Sequence, residues 1–182
     1  MASSGPLPDR RAVWRGSILR IAFVLVLGCA SAGLTANGAG AQPMSAGERA
    51  YARAEYVRAA RLLTPEAEYG RAPAQTYLGY MFANGLGVPQ DFVIAVYWLT
   101  LAAQQGSPAA QYLLGGLYDR GQGVKRDFVM AEIWLDLAAA NPEPGRRDAW
   151  AGLRDAVASK LSIAELTEAQ RRSAAWAAPA SP

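Results

Sequence analysis

The chain writes one stretch twice. Residues 74–103 read AQTYLGYMFANGLGVPQDFVIAVYWLTLAA, and residues 110–139 read AQYLLGGLYDRGQGVKRDFVMAEIWLDLAA. The offset is 36 residues with no gap, and 16 of the 30 aligned positions are identical. Self-similarity at such a period marks a supersecondary unit that buries its apolar surface only by stacking on copies of itself. A degenerate copy comes first: EYVRAARLLTPEAEYG, residues 55–70, aligns with residues 91–106 at the same offset. There Tyr56 stands for Phe92, Leu62 for Trp98 and Gly70 for Gly106. Pro65 falls inside its second helix and predicts a kink or a restart.

Each position of the unit has a physical role. Ala74, Leu78, Met81 and Phe82 recur at helical spacing and form the apolar face of a first helix. Glycine inside a helix costs about 1 kcal/mol against alanine, so Gly79 and Gly115 need a packing reason, namely close approach of the second helix with Ala95 opposite. Gly85 and Gly121 suit the left-handed residue that ends a helix. Gly87 and Gly123 permit a second unusual backbone angle, after which Val88 turns back to the core. Asp91 and Asp127 read as N-caps. Phe92, Ala95, Trp98, Leu99 and Ala102 make the buried face of the second helix, and Trp98 and Trp134 are large enough to anchor one repeat on the next.

The string A-x-x-x-L-G-x-x-(Y/F)-x-x-G-x-G-V-x-x-D-x-x-x-A-x-x-W-x-x-x-A-A resembles the Sel-one-like repeat, a relative of the tetratricopeptide repeat. The resemblance implies an all-α fold, a short α/α solenoid of antiparallel helix pairs that binds other proteins. Two features depart from it. Many members carry more repeats, and some exported members staple each helix pair with a disulfide, for which these repeats have no cysteine. The expected organisation is a leader over 1–41, repeats over 46–141 (degenerate 46–70, full 72–106 and 108–141), capping helices over 145–177 and a tail over 178–182. In the capping unit Trp150, Leu153 and Val157 share one helix face, and Ser162 with Glu165 forms a capping box.

Before Gln42 the chain holds Arg10, Arg11, Arg15 and Arg20 against Asp9, and the remainder balances 14 basic with 14 acidic residues. The net charge of +3 therefore belongs to the leader, and a neutral body lacks the footprint of nucleic-acid binding. Arginines, the apolar run Ile21–Leu27 and small residues describe a secretory signal peptide. Two peptidase sites fit, after Ala41, which is preferred, and after Ala32. Val26-Leu27-Gly28-Cys29 is close to a lipobox, which would tether the protein at Cys29, and residues 18–36 are long enough for an uncleaved anchor. The expected location is periplasmic or secreted, with an envelope lipoprotein as the alternative.

The chain has no histidine and one cysteine, Cys29. No histidine base, thiolate nucleophile or thiolate metal site is expected past the leader, and no metal or cofactor. The glycine pairs 85/87 and 121/123 follow no strand and carry no phosphate-loop lysine. The expectation is a non-enzymatic protein–protein interaction scaffold or regulator, with another protein as partner and no membrane contact beyond the leader. Relatives linked to cell-wall chemistry leave a cell-wall-associated hydrolase or antibiotic-binding protein as the alternative. By analogy with related repeats, the binding face falls on first-helix positions outside the core: Gln75, Thr76 and Tyr80, then Gln111, Tyr112 and Asp119.

Overall fold

The computed structural model describes residues 43–141 and 145–177. The leader with Cys29, the Pro142–Pro144 break and the tail 178–182 lie outside the described residues. Eight α-helices occur among the described residues, with no strand: α1 (Ala46–Ala52), α2 (Tyr56–Glu68), α3 (Ala72–Asn84), α4 (Phe92–Gln104), α5 (Pro108–Arg120), α6 (Phe128–Ala140), α7 (Arg147–Ala158) and α8 (Ile163–Ala177). They form a short α/α solenoid in which α3 pairs with α4 and α5 with α6.

Local chemistry sets the helix ends. The Asp91 carboxylate accepts from the Val93 and Ile94 amides at 2.8 and 3.0 Å, and Asp127 accepts from Met130 at 2.9 Å. Gly85 and Gly121 end α3 and α5 in the left-handed conformation, both at φ 67°. The loops between paired helices close identically, by Asp91 N–H to Phe82 O at 2.9 Å and Asp127 N–H to Tyr118 O at 3.1 Å. α1 starts at a capping box that the repeat pattern did not flag, in which Ser45 and Glu48 exchange bonds of 3.2 Å. Pro65 does not restart α2, which runs continuously past it, and the preceding Thr64 hydroxyl donates to Ala60 O at 2.8 Å.

Within each pair, a glycine seats a leucine. A Cβ at Gly79 would stand 2.5 Å from Leu99 Cγ, and one at Gly115 would stand 2.7 Å from Leu135 Cγ. The close approach expected of these glycines is present, with the leucine as the main neighbour and the Ala95 carbonyl oxygen behind it at 3.2 Å. Ala74, Leu78, Met81, Ala95, Leu99 and Ala102 are buried. Trp134 is buried too, but its counterpart Trp98 and Phe92 are only partly covered.

Between pairs, two contacts recur. Gly87, at φ 68°, lies so close to the start of α2 that a Cβ would stand 2.5 Å from Val57 N. Gly123, at φ 72°, presses in the same way on the Phe92 carbonyl at the start of α4. At the other end of the same helices, the Gln75 amide donates to Ala67 O at 3.0 Å and the Gln111 amide donates to Ala103 O at 3.1 Å. Each full repeat is thus pinned to the preceding second helix at both of that helix's ends.

The array closes on two unlike helices. α7 packs on α6 and touches α5, the place a further first helix would take. α8 turns back and packs chiefly on α6. Ala169 of α8 is fully buried among Ile133, Trp134 and Leu137, and Trp176 meets Trp134 edge-on at 5.2 Å.

Substitution of two glycines separates backbone strain from junction packing. Gly106 has φ 86° with nothing within 4 Å of a Cβ, so Gly106→Ala should cost only the left-handed strain, about 1–2 kcal/mol. Gly123→Ala meets the Phe92 backbone as well and should lose roughly 1–3 kcal/mol more. Urea unfolding checks this, and equal losses for the two variants would remove the junction role.

Candidate protein-binding face

Of the six first-helix residues expected on a binding face, the structure leaves Tyr80 exposed, at 36%. Gln75 and Gln111 are corrections. They are 3% and 5% exposed, and their amides are spent on the inter-repeat bonds to Ala67 and Ala103. Gln75 also accepts from the Gln105 amide at 2.7 Å. A buried amide needs its partners, so neither side chain is free for another protein. Thr76 is half-buried; its hydroxyl donates to Ala72 O at 2.8 Å and lies 3.1 Å from Ser107 Oγ across the next junction.

Tyr112 and Asp119 are withdrawn by α7 and the turn that follows it. The Tyr112 ring stacks on Trp150 with centroids 5.3 Å apart and planes 16° apart. The Asp119 carboxylate pairs with Lys160 at 2.5 Å. The sequence marked a C-terminal cap over the open face of the second full repeat, and the structure shows that this cover takes up Tyr112 and Asp119, two of the positions expected to bind a partner. The first-helix face of the second full repeat is therefore an internal interface.

What stays open is aromatic. Tyr77 and Tyr80 sit three apart on α3, so they share a face. Tyr51 on α1 reaches them with ring centroids 4.7 Å from Tyr77 and 6.4 Å from Tyr80, and Tyr56 at the start of α2 closes the group at 5.5 Å from Tyr51. The turn between α1 and α2, with Ala54 at φ 59°, brings Tyr51 and Tyr56 to one side. Tyr80 is where the second full repeat has Gly116, over which the Arg120 guanidinium lies with Nη1 3.3 Å from the space a Cβ would take. Burial first, and then the neighbouring Tyr80, Tyr56 and Tyr77, push the Tyr51 phenol above its usual range. Tyr51 is therefore neutral at physiological pH. The surface offers apolar ring faces and phenol hydroxyls, a combination suited to peptide contact. No group of three or more His, Cys, Asp or Glu side chains placed to hold a metal ion occurs among the described residues.

Comparison with known families decides what the repeat is. The family model of the Sel1 repeat matches residues 72–107 and again 108–142. The chain carries two Sel1 repeats. Solved structures agree. One neighbour is a protective antigen present in uropathogenic Escherichia coli strains that displays an SLR fold, 31% identical, with a TM-score of 0.65 over 71% of this chain and 28% of that one. A second is a Sel1 repeat protein from Oxalobacter formigenes, 36% identical, with a TM-score of 0.50 over 53% of this chain and 40% of that one. The chain thus spans well under half the length of either neighbour. No curated protein matches it. As a family, Sel1 repeats are a helical scaffold that generally mediates protein–protein contact.

The second Sel1 repeat also holds a group that sequence reading passed over. Glu132 is 2% exposed, and its Oε2 has no hydrogen-bond partner. Burial, and next the Asp136 carboxylate, push its carboxyl up to about 7, against a smaller pull downward from Arg154. Asp136 is raised as well, by burial, although Ser173 of α8 donates to it at 3.2 Å. The signal was present in the repeat alignment, because Glu132 stands where the other copies have Val96 and Ala60.

A carboxyl with a raised folded-state pKa holds its proton more tightly folded than unfolded. Its contribution is fully present below its unfolded value of 4.5 and is lost as pH rises toward about 7. Glu132→Gln should therefore raise Tm by several degrees at pH 8 and change it little at pH 4.5. Thermal scans across that window check it; a variant less stable than the parent at pH 8 would contradict the buried-carboxyl reading.

Proposed function

We propose that the chain is an exported, non-enzymatic adaptor of the bacterial periplasm or envelope, which holds a partner protein against the tyrosine face of α1 and α3. The observation that carries this reading is the cluster of Tyr51, Tyr56, Tyr77 and Tyr80, with Tyr80 exposed at a position where the sibling repeat has no side chain. A repeat scaffold needs its shared residues for stacking; Tyr56 holds a position that is aromatic in each copy, as Phe92 and Phe128, but Tyr77 and Tyr80 stand where the second full repeat has Leu113 and Gly116. Large aromatics anchor interfaces at low entropic cost, because only two side-chain torsions are fixed on binding. The arginine-led apolar leader supports export, and the bacterial sources of the structural neighbours support a bacterial envelope.

Two experiments test the reading. A photo-crosslinking phenylalanine analogue placed at Tyr80 should give discrete adducts with an envelope protein, and the same group at the exposed Arg147 of α7 should not. Indistinguishable adduct patterns at the two sites would sink the tyrosine face. For export, fractionation with intact-mass measurement should find a periplasmic form beginning at Gln42. A cytoplasmic full-length chain, or a lipid-labelled form that Cys29→Ala abolishes, would replace the soluble periplasmic reading.

A further inference from the structure

The solenoid's own cap covers on α6 a stripe of positions that α4 leaves partly exposed. α4 has no charged residue from Phe92 to Gln104. A helix that apolar on all sides is normally covered on all sides. Yet Val93 is 66% exposed, Ile94 37% and Tyr97 57%. Ile94, Tyr97, Trp98 and Leu101 follow i, i+3, i+4 and i+7, a single stripe along the outer side of α4. In the next repeat the same register positions are Met130, Ile133, Trp134 and Leu137. There the stripe is covered, with Ile133 fully buried, Trp134 at 1% and Leu137 at 8%.

The cover is α8. Ala169 packs among Ile133, Trp134 and Leu137, Trp176 meets Trp134 edge-on, and the Arg172 guanidinium lies 3.9 Å from Met130 Sδ. One molecule therefore holds the same stripe in two states, seated under α8 on α6 and, on α4, with Ile94 and Tyr97 exposed and Trp98 and Leu101 half-buried. The α4 stripe lies one repeat before the covered one, on a helix whose inner face, Ala95, Leu99 and Ala102, shares a buried cluster with Trp134 and Ala169. Charge selects the occupant in the same way. α8 turns inward Leu166, Ala169, Ser173 and Trp176, with Arg172 half-buried at the edge over Met130, and keeps Glu165, Glu168 and Arg171 exposed. On α4 the positions of Glu132 and Asp136 are Val96 and Thr100, so that seat has no carboxylate to satisfy.

We infer that the outer face of α4 is a second docking site, and that its occupant is an amphipathic helix of a partner protein whose most buried positions are small and uncharged and are followed by an aromatic, like Ala169, Ser173 and Trp176 of α8. Helix-in-groove recognition of this kind is read through anchors at helical spacing. The inference rests on the interaction-module reading but not on the tyrosine face, which lies on other helices.

The probe is a synthetic α8 peptide, Ser162–Ala177, capped at both ends. A free peptide of this length is marginally helical, so the affinity will be weak and NMR titration of the intact chain is the suitable readout. The expected result is saturable shifts at the amides of Val93–Leu101. Tyr97→Arg should weaken binding at least tenfold with no loss of Tm, since the side chain is mostly exposed, and a Trp176→Ala peptide should bind as weakly. Tyr80→Ala should leave peptide binding unchanged, which keeps failure here apart from failure of the tyrosine face. Absence of saturable binding, shifts confined to α6 through exchange with the protein's own α8, or insensitivity to Tyr97→Arg would each overturn the inference. So would self-association abolished by Tyr97→Arg, which would assign the face to a second copy of the chain.

Discussion

The structure depends on how one repeat grips the helix before it. At one end of α2, the Gly87 backbone rests against Tyr56 and Val57; at the other, Gln75 ties down the Ala67 carbonyl. The same pair of contacts, through Gly123 and Gln111, holds α4. Neither contact is large alone. The glycine acts by what it lacks, since a side chain there would push the repeats apart. The glutamine satisfies a carbonyl at the end of a helix, where the helix itself supplies no partner. Fixing a helix at both ends sets the spacing and twist of the array, and the leucines over Gly79 and Gly115 then fill the interior.

Stacking of this kind needs two ends, and they are handled differently. At the far end α7 takes the place of a next first helix and covers Tyr112, Lys160 in the turn after it pairs with Asp119, and α8 folds over the second helix. At the near end α1 and α2 form a degenerate pair in which Tyr51 gathers Tyr56 and, on α3, Tyr77. The polar pair Glu132 and Asp136 lies among α6, Arg154 of α7 and Ser173 of α8. A buried, partly unsatisfied carboxyl costs stability. Its presence only in the last repeat shows that this junction departs from the repeated one.

The fold was legible because the repeat writes its own alignment. Gly85, Gly121, Asp91 and Asp127 do what local chemistry demands of them, and those roles need no knowledge of neighbours. The binding face was less legible because it depends on contacts between units. Gln75 and Gln111 look like surface residues on a helical wheel, and only the stacked array shows the carbonyls waiting for them. Trp98 and Trp134 are identical in the alignment and differ in burial because one helix, α8, lies over only one of them. Where the copies differ, the alignment was the better guide: Tyr80 against Gly116 marks the open face, and Val96 against Glu132 marks the buried carboxyl.

The central claim is that the two-ended grip makes the repeats one cooperative unit. Native-state hydrogen exchange across a denaturant series reads this residue by residue. If the account is right, core amides at Leu63 of α2, Leu99 of α4 and Leu135 of α6, all at most 1% exposed, will converge on one opening free energy equal to that of global unfolding. A separate, lower-energy opening of α2, with α4 and α6 still protected, would contradict it.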